Sequence, residues 1–195
     1  TVDGLEEIEA WNLPMPPGRV AMSEDGSEGF VFGKKTNNAA IAANRLLKAN
    51  APLWDMPGGY WYVQLPSSTG NVRTLEQLAS ELGVDFSGSS EDVSRARRVR
   101  APRVGLWDQY GGSMDAGWAR WILDQFEFPF TRVFAPELDA GKLSTTYDVL
   151  VFVGGGIPSP NARRRGGDQT PIPDLPAEYR GQQGRVTAER TIPRL

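Results

Sequence analysis

The chain has 195 residues, of which 39% are hydrophobic and 23% are charged, and its formal net charge is −3. This length suits one globular domain or two small ones, and the acidic balance disfavours a general nucleic-acid binder, which needs a basic surface. Histidine and cysteine are both absent, which excludes thiol nucleophiles, Cys/His zinc sites, haem ligation by histidine and Ser-His-Asp triads.

The apolar runs of the sequence predict no transmembrane segment, because none approaches the roughly 20 residues that cross a bilayer. The chain begins at Thr1 rather than at methionine, so we expect a trimmed or excerpted piece. Carboxylates, lysine, hydroxyl groups and tyrosine are left for catalysis, and they suit glycosidase-type or oxygen-ligand metal chemistry. We nevertheless predict no metal site and no cofactor, because no motif for either one occurs.

Composition divides the chain into four predicted regions. They are an irregular N-terminal arm (1–28), a small α/β region with a basic connector (29–100), a β-α-β-α-β core (101–156) and a Pro/Gly/Arg-rich C-terminal arm (157–195). Proline and glycine interrupt both arms, whereas the middle regions contain periodic apolar stretches.

In the small α/β region, the apolar pattern first predicts a strand at Gly29–Phe32 and a helix that begins at 36–38. Two further strands, APLWDM and GGYWYVQL, are expected on either side of a turn at Pro57–Gly59.

A second helix is predicted in TLEQLASELG, with Thr74 as its N-cap and Gln77 at the capping-box position. Its predicted apolar stripe consists of Leu75, Leu78, Ala79 and Leu82. Gly83 is the expected stop. A short strand at 84–86 follows, and the polar, basic stretch 87–102 is expected to be an exposed connector.

The second half of the chain alternates strands and helices. The predicted elements are a strand at Arg103–Trp107, a helix at Ser113–Phe126, a strand at Phe130–Phe134, a short helix or turn at 135–143 and a buried strand at Tyr147–Gly156. This rhythm predicts a parallel sheet with covering helices. Such a sheet usually has more strands, so either residues 29–86 complete it or another chain does.

The loop after the strand Arg103–Trp107 is the candidate ligand site, because open α/β sheets bind ligands at the carboxyl ends of their strands. Its candidate residues are Asp108, Tyr110, Gly111, Gly112, Ser113 and Asp115. The favoured interpretation is structural: the glycines form a turn, Ser113 caps the helix and Asp115 complements the helix dipole. The later glycine run in VFVGGGIPSP is interpreted as a flexible exit from a strand, since no GK[ST] follows it.

Two groups of arginines are candidate partner-binding residues in this acidic chain. They are Arg95, Arg97, Arg98 and Arg100 in the connector, and Arg163, Arg164 and Arg165 in the C-terminal arm. They are either solvated connector residues or docking groups for an acidic protein or for anionic lipid headgroups.

Four residues of the helix Ser113–Phe126 share one face at helical spacing. They are Trp118, Trp121, Ile122 and Gln125. We expect this stripe to pack in the core, and a stacking platform for sugar is the alternative.

One long stretch of the sequence resembles a known protein family: PRVGLWDQYGGSMDAGWARWILDQFEFPFTRVFAPELDAGKLSTTYDVLVF. This stretch resembles a segment downstream of the peptidase domain in large secreted bacterial proteins of the M14 zinc-carboxypeptidase type. Other stretches that resemble the same proteins are EAWNLPM, NNAAIAANRLLKANAPLW, LASELGVDF and LPAEYRGQQG. The resemblance covers most of residues 8–153. It implies a class I glutamine-amidotransferase-like, flavodoxin-like α/β fold: a parallel sheet with covering helices, here incomplete, between irregular N- and C-terminal arms.

The departures from that family concern its catalytic groups. The peptidase site of the family uses an HxxE pair and a later histidine, and glutamine amidotransferases use cysteine with histidine and glutamate. This chain has neither histidine nor cysteine, so no catalytic residue is carried over. The resemblance therefore implies a fold and a periplasmic or extracellular origin, without an activity.

The sequence thus favours a non-catalytic structural or interaction module, an extrinsic subunit docked on other protein subunits and, in one setting, on a membrane complex. One alternative is an accessory part of an active M14 zinc carboxypeptidase whose catalytic domain lies outside this chain. An intact HxxE domain upstream in the same reading frame would favour that alternative. A second alternative is a small-ligand-binding domain that uses the loop 108–115.

Overall fold

The computed structural model describes residues 15–23, 26–65, 69–157 and 174–195. The chain divides into two compact units, Thr1–Val99 and Arg100–Leu195. The strands of the described residues are β1 Val20–Ala21, β2 Gly29–Gly33, β3 Leu53–Met56, β4 Tyr60–Val63, β5 Phe86–Ser89, β6 Arg97–Val99, β7 Val104–Trp107, β8 Phe130–Val133 and β9 Val149–Val151. The α-helices there are α1 Asn37–Lys48, α2 Thr69–Leu82, α3 Met114–Gln125 and α4 Ala135–Ala140.

The first unit is built on a six-stranded mixed sheet with the order β1-β5-β2-β4-β3-β6. The pair β1–β5 is parallel, and the other pairs are antiparallel. Strands β3 and β4 form a hairpin whose turn contains Gly58 and Gly59 at φ 102° and 83°, a conformation that favours glycine. The strand β1 lies within the predicted irregular N-terminal arm, so part of that arm joins the sheet.

Helices α1 and α2 supply their apolar faces to the core of the first unit. The buried positions of α2 are Leu75, Leu78, Ala79 and Leu82, which are the predicted stripe. Helix α1 buries mainly alanines, and these small side chains allow close approach to its neighbours. Phe32 and Phe86 lie at the centre of this core with their ring centroids 5.0 Å apart.

The predicted start of the second helix is wrong. Helix α2 begins at Thr69, so Thr74 lies inside it, and the Thr74 hydroxyl donates to the carbonyl of Gly70 at 3.1 Å. Gln77 donates to the Glu81 carboxylate at 2.8 Å and makes no capping box. A threonine inside a helix commonly satisfies its hydroxyl on the carbonyl four residues earlier, which is why it imitates a cap in sequence.

The stretch predicted as an exposed basic connector also contains regular structure. Strand β5 covers Phe86–Ser89 rather than 84–86, and β6 at Arg97–Val99 pairs with β3. Because β6 is an edge strand with exposed arginines, its sequence lacks the alternating apolar pattern that marks a strand.

The second unit contains the predicted parallel sheet with covering helices. Its order is β8-β7-β9, and both pairs are parallel. In order along the chain this is 2-1-3, the arrangement that begins a flavodoxin-like sheet. Crossovers between parallel strands are right-handed, so α3 and α4 cover opposite faces.

The sheet of the second unit is small and ends at β9 within the described residues. Strand β9 has three residues, fewer than the predicted strand Tyr147–Gly156, and Val149 on it is 46% exposed. Residues 29–86 do not complete this sheet, because their strands belong to the sheet of the first unit. The fold is therefore α/β with an incomplete parallel sheet.

The end of the C-terminal arm packs on α4 and the cluster of buried residues beside it. Thr191 is fully buried, and its hydroxyl donates to the Asp139 carboxylate of α4 at 2.6 Å. Val186 packs against a cluster of buried residues, Val133, Leu138, Leu143 and Tyr147. Residues 174–195 thus belong to the same core as α4.

Candidate functional site

The loops after β7 and β9 lie at the carboxyl ends of these strands, the position where open α/β sheets commonly bind ligands. Strand β7 lies between β8 and β9, so the chain passes first from β7 to β8 on one side and then from β8 across β7 to β9 on the other side. This reversal creates a crevice beyond the ends of β7 and β9, the usual ligand position in open α/β sheets. The loop predicted as a ligand site, 108–115, begins there.

Most polar groups of this loop are used to hold the backbone. The Ser113 hydroxyl accepts the Ala116 N–H at 3.1 Å and so caps α3. Gly111 and Gly112 have φ 82° and 72°, which makes the turn that precedes the cap. Asp115 lies in the first turn of α3, where its charge complements the helix dipole and opposes a bound anion.

Asp108 is the buried polar residue of the loop, with 2% of its surface exposed. Its Oδ1 accepts the N–H of Gln109 at 2.9 Å, and its Oδ2 lies 4.0 Å from Nη1 of Arg132. A carboxylate at this depth needs such partners, because burial of an unpaired charge is costly. It is the side chain of the loop best placed to recognise a ligand.

The glycine run after β9 meets the loop after β7. A Cβ atom at Gly154 would lie 2.3 Å from Oδ2 of Asp115, and one at Gly156 would lie 2.5 Å from Cε3 of Trp107. A side chain at either position would require its neighbour to shift, so this segment is a packed part of the edge. The sequence interpretation of a flexible exit missed the contact because the two segments lie about 40 residues apart.

A cavity of about 200 Å³ opens at this edge, and we call it the carboxyl-edge cavity. Its lining residues are Trp107, Asp108, Gln109, Ala135, Gly155, Gly156, Gly184, Arg185 and Val186. Two of them, Asp108 and the neighbouring Trp107, follow from the predicted position of the strand. The wall formed by 184–186 was missed, because no motif marks it and it lies more than 70 residues from β7.

Tyr110 extends the edge toward the C-terminal arm. Its ring is 43% exposed and lies 5.9 Å from the ring of Tyr179 in a tilted arrangement. Of the predicted ligand residues, Asp108 therefore lines the cavity, Ser113 and the glycines shape the loop, and Tyr110 contacts the arm.

The aromatic stripe of α3 does not pack in the core, contrary to the prediction. We call the exposed large apolar residues of α3 its outer face: Met114, Trp118, Trp121 and Ile122, which are 80%, 60%, 55% and 49% exposed. The rings of Trp118 and Trp121 meet edge to face at 5.9 Å. Gln125 at the end of the stripe is also exposed.

The outer face is exposed because α3 turns another side toward its sheet. Ala116 is fully buried and Leu123 partly buried, and at about 100° per residue both lie on the opposite side of the helix from Trp118 and Gln125. Helix α3 thus has two apolar sides, and a helix of that kind is usually covered on both.

The arginines of the predicted basic connector are largely held by their own chain. Arg97 pairs with Asp55 at 2.9 Å, and the guanidinium of Arg98 lies 5.7 Å from the centre of the Trp54 ring. Arg100 lies 3.6 Å from Oδ1 of Asp148. Arg95 is exposed at the end of a 3₁₀ turn, and Arg163, Arg164 and Arg165 lie outside the described residues.

Two pKa shifts show where charge is organised around these arginines. Hydrogen bonds from Arg103, with Arg100 nearby, hold the pKa of Asp148 well below its usual range. A hydrogen bond from Lys34, aided by Arg97, lowers the pKa of Asp55. Both carboxylates form ion pairs with basic residues of their own unit. Those basic residues are therefore less available for ion pairs with a partner.

Among the described residues, no helix combines the length and the apolar character that crossing a membrane requires. Within the same residues, no group of three or more acidic side chains is gathered as a metal site. No protein-family model, curated protein or solved structure matches the chain.

Proposed function

We propose that the chain is a non-catalytic interaction module that docks on a larger protein assembly through the outer face of α3. The observation that carries this proposal is the exposure of four large apolar side chains on one helix face. Monomeric proteins seldom expose such contiguous patches, and those that do usually bind a partner there.

The outer face contains residue types that commonly contribute most of the binding energy at protein interfaces. A tryptophan buries about 150–250 Å² when it is covered, and tryptophan is enriched among the residues that dominate protein interfaces. Trp118 and Trp121 are adjacent and pack on each other, so a partner meets a preformed surface at little entropic cost.

The absence of an imidazole or thiol from the whole chain supports the non-catalytic part of the proposal. At the carboxyl edge, Ser113 is occupied as a cap and Asp108 accepts a backbone N–H and faces Arg132. Neither has the adjacent base that activates a nucleophile. The family resemblance adds an extrinsic position on the periplasmic or extracellular side, with a membrane complex as one setting.

The test is the mass of the native complex isolated through a tag on the full chain from the cells that produce it. We expect a complex of fixed stoichiometry for the unaltered chain and at least a tenfold loss of partner for Trp118→Ser/Trp121→Ser. The matched control is Ile157→Ser/Tyr179→Ser, which removes two other exposed apolar side chains and should retain the partner. Isolation of a lone monomer, or equal yields from the two double variants, contradicts the proposal.

A second candidate function, binding of a small molecule, is favoured by the carboxyl-edge cavity. The buried Asp108 carboxylate and the backbone of the lining glycines suit a small ligand with hydrogen-bond donors, such as a polyol or a primary amine. Thermal unfolding in a panel of such compounds tests it. One compound should raise Tm for the unaltered chain and for Asp124→Asn, but not for Asp108→Asn. A panel without any shift removes this candidate.

A further inference from the structure

The charges beside the outer face of α3 differ from those of a membrane-binding helix. At about 100° per residue, Asp115 and Asp124 lie roughly 90° to either side of the stripe, so an acidic residue borders each flank. Both residues are exposed, and their side chains make no hydrogen bond or ion pair within the described part of the chain, although Oδ2 of Asp115 lies against Gly154. Arg120, the basic residue of α3, lies about 140° from the stripe.

The spacing of the face matches the seam of a helix pair. Met114, Trp118 and Trp121 of the face, continued by the polar Gln125, follow one another at intervals of four, three and four residues, as do the facing positions of a coiled coil. The stripe is about 16 Å long at 1.5 Å per residue, which accommodates three turns of a second helix. Gly117 beside it has open space around the position of a Cβ atom, so a partner can approach closely on that flank.

We propose that the outer face of α3 receives an amphipathic helix of the partner protein that carries Lys or Arg on both sides of its apolar stripe. This inference rests on the proposed function and adds the chemistry of the partner. In helix pairs the residues that flank the seam select the partner by charge, and two acidic flanks select basic ones.

A lipid surface is the competing occupant, because exposed tryptophans also suit a membrane interface. Helices that lie on anionic membranes carry Lys and Arg beside their apolar face, where they attract the headgroups. The outer face of α3 has Asp115 and Asp124 there, so an anionic surface repels its flanks. The charges favour a basic protein helix over a membrane.

The test uses two fluorescent 18-residue helical peptides with the same Leu/Ile stripe, one flanked by Lys and the other by Glu. Anisotropy titrations with the full chain at about 50 mM salt should show at least a tenfold tighter Kd for the Lys-flanked peptide. The difference should shrink at about 500 mM salt, where exposed charges are screened.

Two variants connect that difference to named residues. Asp115→Asn/Asp124→Lys should remove or reverse the preference, and the asparagine avoids a positive charge at the start of α3. Trp118→Ser/Trp121→Ser should abolish binding of both peptides. Circular dichroism of each variant confirms that α3 is retained.

Each other outcome overturns the inference in a distinguishable way. Equal affinity for both peptides, or tighter binding of the Glu-flanked one, refutes the basic partner and leaves the proposed function standing. Binding of neither peptide refutes a helix as the occupant, and copurification then decides the proposed function separately. A blue shift of tryptophan emission on phosphatidylglycerol vesicles, absent on phosphatidylcholine vesicles, identifies an anionic membrane instead.

Discussion

The two units of the chain bury their helices to different extents. In the first unit, α1 and α2 place their apolar stripes in a core whose fourteen buried residues come from both helices and most strands of the described sheet. In the second unit, α4 packs on a cluster with four buried residues in the described part of the chain, and α3 leaves its outer face exposed.

This difference separates apolar residues that specify the fold from those that are available for binding. The apolar residues of the first unit are largely used by its own core, whereas the second unit has a small sheet and a helix with two apolar sides. A small domain has limited interior volume, so additional apolar surface is covered only when another surface packs on it. The comparison therefore supports the second unit as the location of the proposed docking surface.

The largest expected effect comes from replacing one aromatic residue in each unit with alanine. Phe86→Ala removes a fully buried ring from the first core and should lower the free energy of unfolding by about 3–5 kcal/mol. Trp118→Ala removes a larger ring, but one that is 60% exposed, and should cost less than about 1 kcal/mol. Urea unfolding followed by far-UV circular dichroism measures both, and similar costs would refute the distinction between core residues and the exposed residues of α3.

Sequence patterns predicted the elements whose structure depends on residues close together in the chain. The stripe Leu75–Leu82 and the glycine turn at 58–59 are examples, because helix periodicity and positive φ are properties of short segments. Strand β6 could not be predicted in this way. This strand contains two exposed arginines and pairs with β3, which lies more than 40 residues earlier in the chain. Pairing over that distance leaves no pattern in the sequence of the strand itself.

The candidate site was predictable to a similar degree. The strand–loop–helix pattern located Asp108 at the end of β7, but the wall at 184–186 comes from a distant segment without a motif. On α3, helical spacing correctly placed Trp118 and Trp121 on one side. It could not tell which of two apolar sides faces the sheet, because that depends on the small Ala116 fitting against the strands.

Two separate glycine-to-alanine substitutions give the next largest effect and test the packing of the second unit. A Cβ atom at Gly105 would lie 2.7 Å from Leu150 and 2.8 Å from Val133, so Gly105→Ala should cost about 1–3 kcal/mol through overpacking. Gly117→Ala on α3 meets open space and should stabilise the helix by about 0.5–1 kcal/mol. Thermal unfolding of the two variants should show Tm shifts of opposite sign. If Gly105→Ala also raised Tm, the inner side of this small sheet would have to be loosely packed.

The smallest effect concerns Tyr147, whose hydroxyl joins the buried cluster of the second unit to α4. It donates to the Glu137 carboxylate at 2.6 Å, and burial together with this hydrogen bond raises the pKa of Tyr147 to about 12. Tyr147→Phe should cost about 1 kcal/mol at neutral pH, because the exposed Glu137 regains water in exchange for the bond.

The stability cost of Tyr147→Phe should depend on pH, and the raised pKa of Tyr147 predicts the direction of that dependence. In the unfolded chain the phenol ionises near pH 10, whereas the folded protein retains the proton until about pH 12. Between these values the folded state binds more protons, so its stability falls as the pH rises. Tyr60 and Tyr62, whose pKa values are also raised, contribute equally to both proteins. The advantage of Tyr over Phe at position 147 should therefore be constant below about pH 10 and shrink toward pH 12 in urea unfolding. An advantage that persisted at pH 12 would mean that the Tyr147 hydroxyl is hydrated, and that the second core is even less closed than the exposed face of α3 implies.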